Sequence, residues 1–91
     1  MREKTIEQHL VRRVRESGGL ALKFTSPNRR NVPDRIVLMP GGLVVFVELK
    51  AAGRKATAAQ AREHERLRSL GFWVEVLDSK DGVERFIEEI A

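Results

Sequence analysis

Hydrophobic spacing along this chain switches repeatedly between a helical and an extended period. Ile6, Leu10, Val11 and Val14 recur at helical spacing until Gly18-Gly19, and the Thr5 and Gln8 pair ahead of them forms a capping-box pattern, so an amphipathic first helix is predicted. Leu20 to Phe24 reads as a short strand. Thr25 to Pro33 is a polar basic loop, and Asp34 to Met39 is a second strand. Pro40-Gly41-Gly42 then turns the chain into a third, beginning at Leu43. A second capping-box pattern, Thr57 with Gln60, starts a helix expected to run to Leu70 and to stop at Gly71. Phe72 to Leu77 reads as a fourth strand. Val83, Phe86, Ile87 and Ile90, at i, i+3, i+4 and i+7, predict a final amphipathic helix. The order is αβββαβα. A helical link between the third and fourth strands allows a right-handed parallel crossover, so the expected fold class is α/β with a mixed central sheet flanked by helices.

The third strand is unusual in its ending. Leu43 to Val47 is apolar on both faces and should be buried, yet it closes in Glu48-Leu49-Lys50. Alternation puts Glu48 and Lys50 on the face of Val44 and Phe46, while Leu49 joins Val45 and Val47. A three-residue loop at positions 40–42 pairs Met39 with Leu43 and sets Asp34 opposite Glu48, their Cβ atoms about 4.5–5.5 Å apart. Such a pair repels unless a hard divalent cation sits between the two carboxylates. A two-residue Gly41-Gly42 turn would instead set Arg35 opposite Glu48 as an ordinary ion pair. Turn chemistry favours the first register, because Pro40 has no N–H to give a residue pair flanking a tight turn.

Ninety-one residues make one domain, 1–91, near the lower size for a core without staples, which makes oligomerisation a plausible supplement. Absence of cysteine excludes disulfides, thiolate metal sites and cysteine nucleophiles, so any site is built from oxygen and nitrogen. No apolar run approaches the roughly 20 residues of a membrane span and the first residues lack a signal-peptide core, which leads us to expect a cytoplasmic protein of a bacterial or phage-infected cell. Seventeen Lys and Arg against thirteen Asp and Glu give a net charge of +4. The pI near 10.1 favours polyanionic partners, although a merely soluble basic surface has the same composition.

Glu7 in the first helix, Pro33-Asp34 opening a strand, Glu48-Leu49-Lys50 closing the next, Gln60 early in the following helix and the Gly71 to Leu77 strand occur here in one order across nearly the whole chain. In this the chain resembles the virus-type replication-repair nuclease (VRR-NUC) domain of the PD-(D/E)XK nuclease superfamily. The family usually has glycine two residues before the Pro-Asp, where this chain has Asn31, the next most tolerant residue of a positive φ. The resemblance implies a restriction-endonuclease-like fold that hydrolyses DNA with Mg²⁺ or Mn²⁺. It makes Asp34, Glu48 and the Leu49 carbonyl metal ligands, Lys50 a catalytic cation, Glu7 an outer ligand or water binder, and Gln60 a neighbour of the metal.

Each residue also has a plainer reading. Asp34 could be a turn residue, Lys50 a strand-end lysine reaching solvent, Glu7 a favourable first-turn charge, and Gln60 no more than a capping partner. His64, one turn after Gln60, is expected to be structural or DNA-adjacent, and His9 a solvated helix residue. Phe72 and Trp73 fit core or dimer contacts better than base stacking. Arg29, Arg30, Arg35, Arg54 and Lys55 flank the proposed site and are expected to meet phosphates. With no second domain to read base sequence, branched or flapped DNA is the expected substrate, cut by a homodimer in a phage replication or repair setting. A DNA-binding module without activity and a small assembly protein are the alternatives.

Overall fold

A computed structural model describes all of residues 1–91. The elements follow the expected order: α1 Glu3–Glu16, β1 Leu20–Lys23, β2 Arg35–Leu38, β3 Val44–Leu49, α2 Ala58–Ser69, β4 Trp73–Leu77 and α3 Lys80–Ile90. The four strands form one sheet in the order β1-β2-β3-β4, antiparallel up to β3 and parallel between β3 and β4.

The two faces of the sheet are covered unequally. Odd-numbered positions of β3, Val45, Val47 and Leu49, point into the main core with Ile6, Leu10 and Val14 of α1 and Val83, Phe86, Ile87 and Ile90 of α3. These are the stripes that the helical spacing of α1 and α3 predicted. Trp73 joins them edge-on to Phe86, with ring centroids 5.9 Å apart. Even-numbered positions face α2, which packs on β4. That helix leaves much of the sheet bare: Leu20 (56% exposed), Leu22 (46%) and Phe72 (45%) stay open to solvent. Phe24, Phe46 and Phe72 make an aromatic row on this side, with centroids 5.7 and 5.6 Å apart.

Two expectations at helix ends resolve differently. The Thr57 and Gln60 capping box is formed: Gln60 N–H donates to Thr57 Oγ1 at 3.1 Å, and Thr57 N–H to Gln60 Oε1 at 2.9 Å. The Thr5 and Gln8 pattern is not a cap. Helix α1 begins earlier, at Glu3, after an extended Arg2 with no side-chain cap. The physical reason lies in the chain ahead of it: Met1 O accepts a bond from Ala52 N–H at 3.1 Å, which holds the N-terminus against the loop after β3 and leaves Thr5 inside the helix.

His9 is a second correction. It is not solvated, because α1 packs on α3 and its ring meets Glu84 there. Nε2 lies 2.8 Å from Glu84 Oε2, and Arg12 donates to Nδ1 at 3.0 Å, so the Nε2–H tautomer satisfies both contacts. Arg13 adds a bond of 2.9 Å to the same carboxylate.

Candidate active site

The register decides what meets at the end of β3. Arg35 pairs with Val47, Ile36 with Phe46, Val37 with Val45 and Leu38 with Val44. Met39 N–H donates to Leu43 O at 2.9 Å. This is the three-residue-loop register, so the next pair along sets Asp34 opposite Glu48. Bonded and non-bonded pairs alternate in an antiparallel ladder, and since Met39 and Leu43 are bonded, Asp34 and Glu48 form a non-bonded pair with side chains close together.

The same alternation explains the proline before Asp34. The next bonded pair after 35 and 47 is 33 and 49, and Pro33 has no N–H to give to the Leu49 carbonyl. That oxygen is therefore left without its ladder donor at the edge of the site. The Leu49 N–H, which would otherwise seek the residue 33 carbonyl, donates to Asp34 Oδ2 at 2.9 Å and so fixes the Asp34 carboxylate. Asn31, three residues earlier, has φ +63°, the left-handed backbone that the family's glycine would adopt freely.

Three carboxylates converge here: oxygens of Glu3, Asp34 and Glu48 all lie within 4.8 Å of one another. Glu3 is the member that sequence reasoning missed. Glu7, expected as an outer ligand or water binder, is not one of the three, and its Oε2 accepts from Arg35 Nε at 2.9 Å. Glu3 and Glu7 are one helical turn apart, so spacing on α1 alone could not choose between them. Arg35 was the available signal. It sits on the opposite face of β2 from Asp34, toward α1, where a half-buried guanidinium needs a carboxylate; its second donor goes to Ala21 O at 2.9 Å.

Glu48 is 2% exposed, and its Oε1 has no hydrogen-bond partner. Burial, and then the facing Asp34 charge, push its carboxyl up to about 8, against a smaller opposing pull from Lys50. A buried carboxyl with an orphaned oxygen, beside two more carboxylates and a free carbonyl, is a hard-oxygen set that fits Mg²⁺ or Mn²⁺.

Gln60 ties the other functional groups to this cluster. Its Oε1 accepts from Lys50 Nζ at 2.7 Å while also serving the capping box, and its Nε2 donates to Glu48 Oε2 at 3.4 Å. The capping bond and the contacts with Lys50 and Glu48 thus coexist in one side chain. Lys50 Nζ stands 3.6 Å from Glu48 Oε2. His64, one turn further along α2, is buried, with Nε2 3.7 Å from Glu48 Oε1. Burial first, then the Arg68 and Lys50 cations, lower its pKa, so the imidazole is neutral at pH 7.

The basic residues divide into two groups. Arg29 forks onto Glu63 of α2 at 2.8 and 3.0 Å, which pins the loop to the helix, and Arg35 is committed to Glu7. Arg30, Arg54 and Lys55 are exposed and make no side-chain ion pair. No helix is long and apolar enough to cross a membrane.

No family model matches the chain. Individual proteins do. The chain is 58% identical over 81 residues, 89% of its length and 87% of the relative's, to a protein of Acyrthosiphon pisum secondary endosymbiont phage 1 named "Putative nuclease p44". It also superposes with a TM-score of 0.91 on a solved structure described as a VRR_NUC domain, 34% identical and matched over 98% of this chain and 97% of that one. With the Pro-Asp, Glu-Leu-Lys and Gln60 elements gathered at one strand end of the same fold, the chain belongs to the VRR-NUC family.

Proposed function

We propose that this protein is a DNA endonuclease that hydrolyses phosphodiester bonds with Mg²⁺ or Mn²⁺. The observation that carries the reading is the convergence of Glu3, Asp34 and Glu48 beside a lysine held in place by Gln60. Asp34, Glu48, Glu3 and the Leu49 carbonyl would hold the ion, which when bound supplies Lewis-acid polarisation of the phosphate and a more acidic water. Asp34 is kept in position by the Leu49 N–H. Lys50 Nζ offers positive charge beside Glu48, where an attacked phosphate gathers negative charge, and its bond to Gln60 means that little reorganisation is needed. Arg30, Arg54 and Lys55 would take flanking phosphates.

Branched or flapped DNA is the proposed substrate. The phage origin of the p44 relative fits a replication or repair setting, in which such structures arise. A homodimer suits a substrate with twofold character. The exposed apolar side chains of Leu20, Leu22 and Phe72 on the even-numbered sheet face would give that assembly an apolar contact surface.

The test is cleavage of synthetic four-way junction, flap and plain duplex DNA with Mg²⁺, Mn²⁺ or EDTA. Metal-dependent cleavage that favours the branched substrates, lost in Glu48→Gln, is the expected result. Salt-sensitive binding without cleavage under any metal would leave a binding module, and neither binding nor cleavage would leave an assembly protein.

A further inference from the structure

Two buried side-chain polar atoms lack a hydrogen-bond partner, Glu48 Oε1 and His64 Nε2, and they face each other at 3.7 Å. An isolated orphan of either kind would be costly, and a buried polar group without a partner commonly marks a functional site. Here the two orphans are complementary. A neutral imidazole has one N–H to donate, and a carboxylate oxygen accepts it. The gap is only just beyond hydrogen-bond reach, so a small rotation of the Glu48 carboxylate would close it.

Helix α2 brings these atoms together through its pitch. Gln60 and His64 are one turn apart and address the two oxygens of the same carboxylate, Gln60 Nε2 at 3.4 Å from Oε2 and His64 Nε2 at 3.7 Å from Oε1. A carboxylate addressed at both oxygens from one rigid helix has its plane set by that helix. His64 is 1% exposed, so its Nε2 faces Glu48 in a site shielded from solvent.

We infer that His64 is a positioning residue, which donates its Nε2–H to Glu48 Oε1 and so orients the carboxylate toward a divalent cation. This rests on the metal-site reading above. Residues that orient a ligand in this way commonly contribute about 10–100-fold to metal affinity.

Mn²⁺ binding to the DNA-free protein, measured by calorimetry, tests the assignment alongside thermal unfolding in EDTA. His64→Leu should lower Mn²⁺ affinity by about 10–100-fold, and His64→Gln, which keeps a side-chain N–H, should recover most of the loss. In EDTA the Leu variant should unfold no lower than wild type, because it removes a buried group that has no partner there. Equal Mn²⁺ affinity in wild type and His64→Leu would overturn the inference and leave the metal site standing. Failure of wild type to bind Mn²⁺ more tightly than an Asp34→Asn, Glu48→Gln double variant would overturn both.

An independent check needs no variant. His64 and His9 are the only histidines, so ¹⁵N spectra of the wild-type imidazoles with and without Mg²⁺ report on His64, with His9 as internal control. Saturating Mg²⁺ should give His64 a hydrogen-bonded Nε2–H signal. An unchanged His64 in Mg²⁺-saturated protein would rule out the positioning role even if every His64 variant failed to fold.

Discussion

Asp34 and Glu48 face each other across the β2–β3 ladder, and Glu48 does so from a buried position where its carboxyl is pushed up to about 8. Its folded value lies above its ordinary value of 4.5, so between those two the folded chain holds a proton that the unfolded chain has released. Stability of the metal-free protein should therefore fall as pH rises from about 4.5 to about 8. Thermal unfolding in EDTA across that range should show the slope, and Glu48→Gln should flatten it. Mg²⁺ should oppose it, stabilising the protein more at pH 8 than at pH 5, since the ion competes with that proton.

Asp34→Ala and Asp34→Asn should separate chemistry from folding. Both are expected to abolish cleavage. The sequence alone suggests that removing either facing carboxylate relieves repulsion, but Asp34 also accepts the Leu49 N–H. Alanine leaves that N–H unpaired, at a cost of about 1–3 kcal/mol, whereas asparagine keeps an acceptor. Denaturant unfolding in EDTA should rank Asp34→Ala below both wild type and Asp34→Asn. Wild-type cleavage by either variant would remove Asp34 from the site.

Lys50→Met and Lys55→Met delete the same charge from two environments. Lys50 is held at Gln60 Oε1 beside the carboxylates, while Lys55 is exposed in the loop before α2. Single-turnover cleavage at saturating enzyme should slow about 10²–10³-fold for Lys50→Met. Lys55→Met should approach wild type under the same conditions and differ mainly in DNA affinity. Equal single-turnover rates would reduce Lys50 to general attraction for DNA.

Arg29 and Arg30 look alike in the sequence and differ in the fold. Arg30→Ala should reduce the salt dependence of DNA binding by about one unit of slope, as loss of one phosphate contact does. Arg29→Ala should change that slope less, because its guanidinium is already forked onto Glu63. It should instead loosen the loop of residues 25–33, seen as faster amide exchange there. The reverse pattern would mean that DNA displaces Glu63 from Arg29.

Most of what positions the site is local, and local features are legible in a sequence. Alternation along β3, the missing N–H of Pro40 and the Thr57 and Gln60 spacing were enough to give the strand faces, the hairpin register and the start of α2, all of which the fold contains. What escaped were partnerships between distant segments. Glu3 reaches the cluster from the start of α1, which Met1 and Ala52 hold beside the loop after β3. His9 finds Glu84 across a helix pair, and Glu7 is taken by Arg35. None of these pairings has a periodic signature, because each depends on how two finished elements dock.

Gln60 joins the cap of a helix to Lys50 of the candidate active site through a single amide oxygen. Terminal turns of helices are where a fold opens most readily. Each opening of the first turn of α2 would release Lys50 at the same moment, so the fraction of molecules ready to act would equal the fraction with that turn closed. Substitutions at Thr57, whose hydroxyl serves the Gln60 N–H, would then set the active population while leaving the chemistry of each competent molecule unaltered.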